Sequence, residues 1–244
     1  MTAEPTGFLY PFIESEERDS SVLLVDLATS AREKIAQSRS LRASAVQDCH
    51  PELLQTAAAM AGRFARGGRL FAFGNGGSAT DAEGAVDLLR RPPHGRPLPA
   101  VSLVDDRAVL TALANDVGFD LVYSRQLIAH ARPGDIAVGF STSGDSANVL
   151  RGLEEASHRD LLTIGFCGYH GGAMAASAAL AHCLIVRSES VHRIQEAQNA
   201  LMLELWSLVQ DALEQGPMEQ EPMEQGPMEQ GPMEQGPADQ GGMW

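Results

Sequence analysis

Five short apolar runs limit what this chain can fold into. They are Leu70 to Phe73, Ala100 to Val104, Ile136 to Phe140, Leu161 to Phe166 and Cys183 to Val186. Each is continuous rather than alternating, as expected of strands buried on both faces. Helix-like stretches separate most of them: Asp81 to Arg90, Arg107 to Asn115 with Phe119 to Ala131, Ser146 to Ser157, and Met174 to Leu180. Strand–helix alternation of this kind predicts an α/β domain with a doubly wound, flavodoxin-like parallel sheet of five strands and helices on both faces. N-terminal helices precede the sheet. Residues 19 to 47 carry helix-spaced apolar positions such as Val25, Ala28 and Ile35. A second helix is expected from His50-Pro51, because proline suits a first turn. Its end falls at Gly67-Gly68, a C-terminal cap. A last helix, about Val191 to Glu214, closes the domain. The division is a 1–18 arm, a 19–215 domain and a 216–244 tail.

The tail repeats a five-residue unit, GPMEQ, EPMEQ, GPMEQ, GPMEQ and GPADQ, from Gly216 to Gln240. Proline in every unit forbids a continuous helix, and the tract has too little apolar bulk for a core, so a disordered, solvated tail is expected. The less favoured alternative is a partner-docking tail using Met218, Met223, Met228, Met233 and Trp244. From Glu214 onward the chain holds seven acidic residues and no basic one. That is half of a formal net charge of −14. Such a charge argues against non-specific nucleic-acid binding, which depends on Lys and Arg. No apolar run is long enough to span a bilayer, and the N-terminus lacks the pattern of a signal peptide. Three scattered cysteines form no disulfide framework, so a reducing, cytoplasmic location is expected.

In doubly wound sheets ligands bind at the carboxyl ends of strands. Two loops occupy such places. The first, Gly74-Asn75-Gly76-Gly77-Ser78, joins a strand to a helix. Its glycines leave backbone N–H groups unshielded beside a helix N-terminus. It would suit an anion or sugar hydroxyls, although a bare strand–helix turn is an equal reading of the glycines alone. Gly74-x-Gly76-x-x-Ala79 also matches a dinucleotide fingerprint, with Asp105-Asp106 ending the next strand. The second loop favours another ligand. In "GFSTSGDSANVL", Ser141, Thr142, Ser143 and Ser146 put four hydroxyls on one short turn before a helix. That arrangement suits a phosphate monoester, and N-capping needs only one hydroxyl.

"GNGGS", "LTALANDVGFD", "STSGDSANV" and "RIQEAQ" resemble the SIS (sugar isomerase) family over roughly residues 20 to 213, and specifically its phosphoheptose isomerase branch. The resemblance implies the SIS fold and phosphosugar binding. It maps a sugar loop to Asn75, Gly76, Gly77 and Ser78, an "ND" pair to Asn115 and Asp116, a phosphate loop to Ser141, Thr142, Ser143 and Ser146, and a last-helix glutamine to Gln195. It also implies a homodimer or homotetramer with pockets at subunit borders.

The branch's chemistry needs a His, a Glu, a Gln and a second His to hold a metal and move a proton. Here the positions hold Gly84, Leu88, Gln195 and Leu203, and His192 replaces an acidic residue. Gly and Leu neither bind zinc nor carry a proton. Glu83, Asp87, Glu196 and Glu204 flank those positions but point elsewhere on their helices. Cys167-x-x-His170 and His182-Cys183 lack a zinc spacing. The expectation is therefore a phosphosugar-binding sensor or accessory protein with no catalytic residue, metal or cofactor. The alternatives are a sedoheptulose 7-phosphate isomerase with a rearranged site, and a protein-interaction module with a vestigial pocket.

Overall fold

The computed structural model describes residues 20–215. The arm and the repeat tail lie outside the described residues. Five parallel strands form one sheet: β1 (Leu70–Gly74), β2 (Ala100–Ser102), β3 (Ile136–Ser141), β4 (Leu162–Gly168) and β5 (His182–Val186). Their order is β2-β1-β3-β4-β5, the flavodoxin-like arrangement. The continuous apolar runs are explained by burial on both faces. Leu70 and Ala72 face one core and Phe71 and Phe73 the other.

The first core lies under α1 (Ser20–Ala65), α2 (Gly77–Arg90) and α7 (Val191–Gln215). The second lies under α4 (Val122–His130), α5 (Ala147–His158) and α6 (Gly172–Ala175), with α3 (Arg107–Asp116) at its margin. Among the described residues no helix is long and apolar enough to cross a membrane.

Two helix expectations need correction. α1 is one helix of 46 residues, with Pro51 inside it, rather than two. Proline in a helix interior costs about 3 kcal/mol by losing a hydrogen bond and crowding the preceding turn. Leu53, Ala57 and Met60 are fully buried just beyond it, and their burial offsets the loss. α6 covers only Gly172–Ala175, not Met174 to Leu180. Thr163 on β4 captures the segment that follows, donating to Ala179 O and accepting from Ala181 N. The remaining helices lie where expected, to within a few residues.

The register of β1 on β3 positions the candidate site. Gly74 pairs with Phe140, so Asn75 and Ser141 leave the sheet side by side. α5 packs closely on β3 because position 139 is glycine. A Cβ there would meet Leu153 Cδ1 and Val149 Cγ1 at 2.9 Å. Gly139→Ala is expected to cost about 1–3 kcal/mol of stability, read as a lower urea midpoint at an unchanged slope.

Candidate functional site

The strand order reverses direction between β1 and β3, so a crevice opens at their carboxyl ends. Both polar loops border it. In the glycine loop, Gly76 has a φ of +56° and forms the N-cap of α2. The amides of Ser78 and Ala79 find carbonyls at Asn75 and Gly76, and Ser78 is buried. The Asn75 side chain is already engaged. Its Nδ2 donates to Asn148 Oδ1 at 2.8 Å, and Asn148 Nδ2 returns a bond to Asn75 Oδ1 at 2.9 Å. Tyr123 Oη donates to Asn75 Oδ1 and to Gly74 O. Burial pushes the Tyr123 phenol up to about 12, so it remains a donor. Asn75 therefore braces the loop through Asn148 and Tyr123.

The serine loop holds its hydroxyls together. Ser141 Oγ lies 3.0 Å from Ser146 Oγ and 3.5 Å from Ser143 Oγ, and accepts from Gly144 N at 3.1 Å. Ser146 stands at the N-cap of α5, yet its side chain caps no helix amide. The hydroxyls form a cluster instead of a helix cap, so the open first turn of α5 can serve an anion. Thr142 contributes through its backbone, its carbonyl accepting from Gly168 N at 2.9 Å. Gly144 (φ +75°) passes so close to Gly171 that no side chain fits. Asp145 Oδ1 accepts from Ala173 N at 2.8 Å, tying the loop to α6.

Gln195 reaches the same crevice from α7. Its side-chain amide occupies the space that a Cβ at Gly77 would need, so the glycine is required for this contact. Asn115 and Asp116 are exposed at the end of α3. Asn115 Nδ2 bonds Asp116 Oδ1 at 2.8 Å, and neither bonds another candidate residue. The structure thus brings together residues 75–78, 141–146 and Gln195, while the "ND" pair forms its own hydrogen bond at the end of α3.

At the positions vacated by the resemblance, Gly84 faces open space, Leu88 is partly buried against the first core and Leu203 is exposed. Glu83 is exposed, Asp87 pairs with Arg91 at 2.6 Å, and Glu196 is held by Ser38 and Arg193. Among the described residues no three of His, Cys, Asp and Glu converge. A metal held as in the branch does not fit this donor set. The Cys and His residues are spent elsewhere: Cys167 Sγ lies 3.5 Å from Cys183 Sγ, and His182 Nδ1 lies 2.7 Å from Glu52 Oε1.

A model of the SIS domain matches residues 35–168. The chain belongs to the SIS domain family. A phosphoheptose isomerase from Rhodospirillum rubrum is 42% identical over 168 residues, 68% of this chain and 88% of that protein. One from Aquifex aeolicus is 42% identical over 66% of this chain and 84% of that protein. Among solved structures, the phosphoheptose isomerase of Neisseria gonorrhoeae superposes with a TM-score of 0.68 at 34% identity, covering 78% of this chain and 99% of that one. This SIS protein is phosphoheptose isomerase-like in sequence and in fold.

Sequence reasoning missed four residues that hydrogen-bond around the candidate loops and helices. Asn148 and Tyr123 brace the glycine loop, and Asp81 and Asn199 join α2 to α7 one turn below Gly77 and Gln195. Asn148 stood inside a recognised motif. Asp81 had no visible signal, since a carboxylate on a helix reads as solvated. In the structure it is 8% exposed. Its carboxyl pKa is pushed up to about 6, first by burial, with the bond from Asn199 opposing. A folded-state pKa above the unfolded value of 3.8 makes ionisation a cost of folding. The penalty is absent below about pH 4 and grows as pH rises through about 6. Wild-type stability should therefore fall across that window by at most about 3 kcal/mol from this group. In Asp81→Asn that part of the slope should vanish, as pH-series urea titrations would show.

Proposed function

We propose that this SIS protein binds a phosphorylated sugar, with its phosphate in the 141–146 loop and its sugar against residues 75–78 and Gln195. The observation that carries this reading is the Ser141–Ser143–Ser146 hydroxyl cluster at the uncapped start of α5. Hydroxyls and helix amides that satisfy each other poorly are ready to donate to a compact oxyanion.

For the chemistry, the relatives support an aldose–ketose isomerase with a rearranged site more than a non-catalytic sensor. Proteins 42% identical over most of their length are named phosphoheptose isomerase. Such an isomerase moves a proton between adjacent carbons, which needs a group that takes it and a group that returns it. In this chain the carboxylates beside the site, such as Glu83 and Asp87, would have to serve. A second, non-catalytic reading is favoured by one specific observation: Gly84, Leu88 and Leu203 stand where the resemblance places three metal ligands, and Leu88 and Leu203 stand where it also places the proton-transfer groups.

A homo-oligomer belongs to this proposal. The first half of α1 projects Leu23, Leu24, Val25, Leu27 and Ile35 into solvent. A groove of about 450 Å³ between α1 and α7 also exposes Leu203 beside Arg39 and Arg42. A helix this apolar and unsupported is expected to be covered by another copy of the chain. Sedimentation at micromolar concentration should give a dimer or tetramer, and a monomer would refute the assembly. The free thiols of Cys49, Cys167 and Cys183 agree with a cytoplasmic placement.

Ser143→Ala should weaken binding of sedoheptulose 7-phosphate about tenfold, the loss of about 1.4 kcal/mol, with an unchanged melting temperature. Thermal-shift titration with phosphosugars tests the binding; no shift with any of them in the wild type would sink it. A coupled assay with the same sugar then separates the two chemical readings. Turnover abolished by Glu83→Ala or Asp87→Ala supports the isomerase. Binding without turnover establishes the non-catalytic protein.

A further inference from the structure

We infer that Asp81 and Asn199 form a positioning pair that holds Gln195 of α7 against the glycine loop of α2. Asp81 lies one helical turn beyond Gly77, and Asn199 one turn beyond Gln195, so the two helices meet in two successive rungs. The upper rung is the Gln195 amide seated over Gly77. The lower rung is the bond from Asn199 Nδ2 to Asp81 Oδ1, 3.1 Å long. Asn199 Nδ2 also donates to the Gln195 carbonyl at 3.2 Å, so one amide group bonds both the carboxylate and the backbone of the residue it positions. Helical Cα–Cβ bonds tilt toward the N-terminus, so the Asp81 carboxyl leans toward the turn that carries the loop.

This carboxyl is expensive to keep. Its Oδ2 is buried without a hydrogen-bond partner among the described residues, and burial disfavours its charge. A buried carboxyl oxygen without a partner, in the second turn from the glycine loop, calls for a reason other than packing. Gln195 itself has no side-chain hydrogen bond among the described residues to fix it, so its position depends on the helix pairing beneath it. The role is distinct from that of the serine loop, which is held by β3, α5 and α6.

The first arm of the test needs no ligand. In spectra of the ¹⁵N-labelled full chain, the Gln195 side-chain amide, assigned by Gln195→Glu, should be shifted from the position of a free glutamine. Asp81→Ala and Asn199→Ala should each collapse it toward that position. The double variant should do no more than Asn199→Ala alone, because Asp81 acts only through its bond from Asn199. Asp81→Asn, which keeps an acceptor for Asn199, should restore it. The second arm rests on the phosphosugar reading. By calorimetry Asp81→Ala should weaken sedoheptulose 7-phosphate about tenfold while inorganic phosphate changes less than twofold. A Gln195 amide unmoved in both alanine variants overturns the inference, as does equal weakening of sugar and phosphate. If the wild type binds no phosphosugar, that reading alone fails, and the amide arm still decides this one.

Discussion

The parallel pairing of β1 with β3 brings Gly74 beside Phe140 and releases two polar loops at neighbouring points of the sheet edge. Sequence separates these loops by more than sixty residues. Only the crossover that inserts β1 between β2 and β3 makes them neighbours. At that point the chains leading away from the two strands diverge to opposite faces, α2 onto one core and α5 onto the other. The crevice is a consequence of connectivity, and the helix N-termini that border it bring partial positive charge to a strongly acidic protein.

Two kinds of hydrogen bonding share the site. The Asn75–Asn148–Tyr123 set is closed: its donors and acceptors satisfy one another, and it gives the glycine loop one shape. The serine cluster is open, with hydroxyl paired to hydroxyl and none spent on capping α5. A closed network beside an open one separates rigidity from recognition. The polar atoms that hold the loop are not those that would have to let go when a ligand arrives. Asp145 extends the same logic by tying the serine loop to the short α6.

α7 joins this arrangement to the other core. It runs parallel to α1 from the crevice toward the opposite edge of the sheet, with Ser38 bonded to Glu196 near its start and Gln210 bonded to Arg96 farther along. Gln195 is thus presented to the glycine loop by a helix whose Leu201, Leu205 and Val209 are fully buried. The absence of bulk at Gly77 lets that side chain approach, and Asp81 below it carries a charge that burial makes costly.

Sequence by itself determined the class of the fold, the five strands and the two loops. Continuous apolar runs and glycine or serine clusters are local features, and local sterics and burial suffice to interpret them. The same local reading split α1 at Pro51, because a proline rule cannot weigh the burial of Leu53 and Met60 that carries the helix through. Nor could it see that Asn148 and Tyr123 would hydrogen-bond the Asn75 side chain. Tertiary structure alone decided three things: which side chains face inward, that Asp81 meets Asn199, and that Asn148 and Tyr123 brace Asn75. The second depends on the packing of α2 against α7. The α2–α7 contact joins residues more than a hundred positions apart, and no periodicity within either segment encodes it.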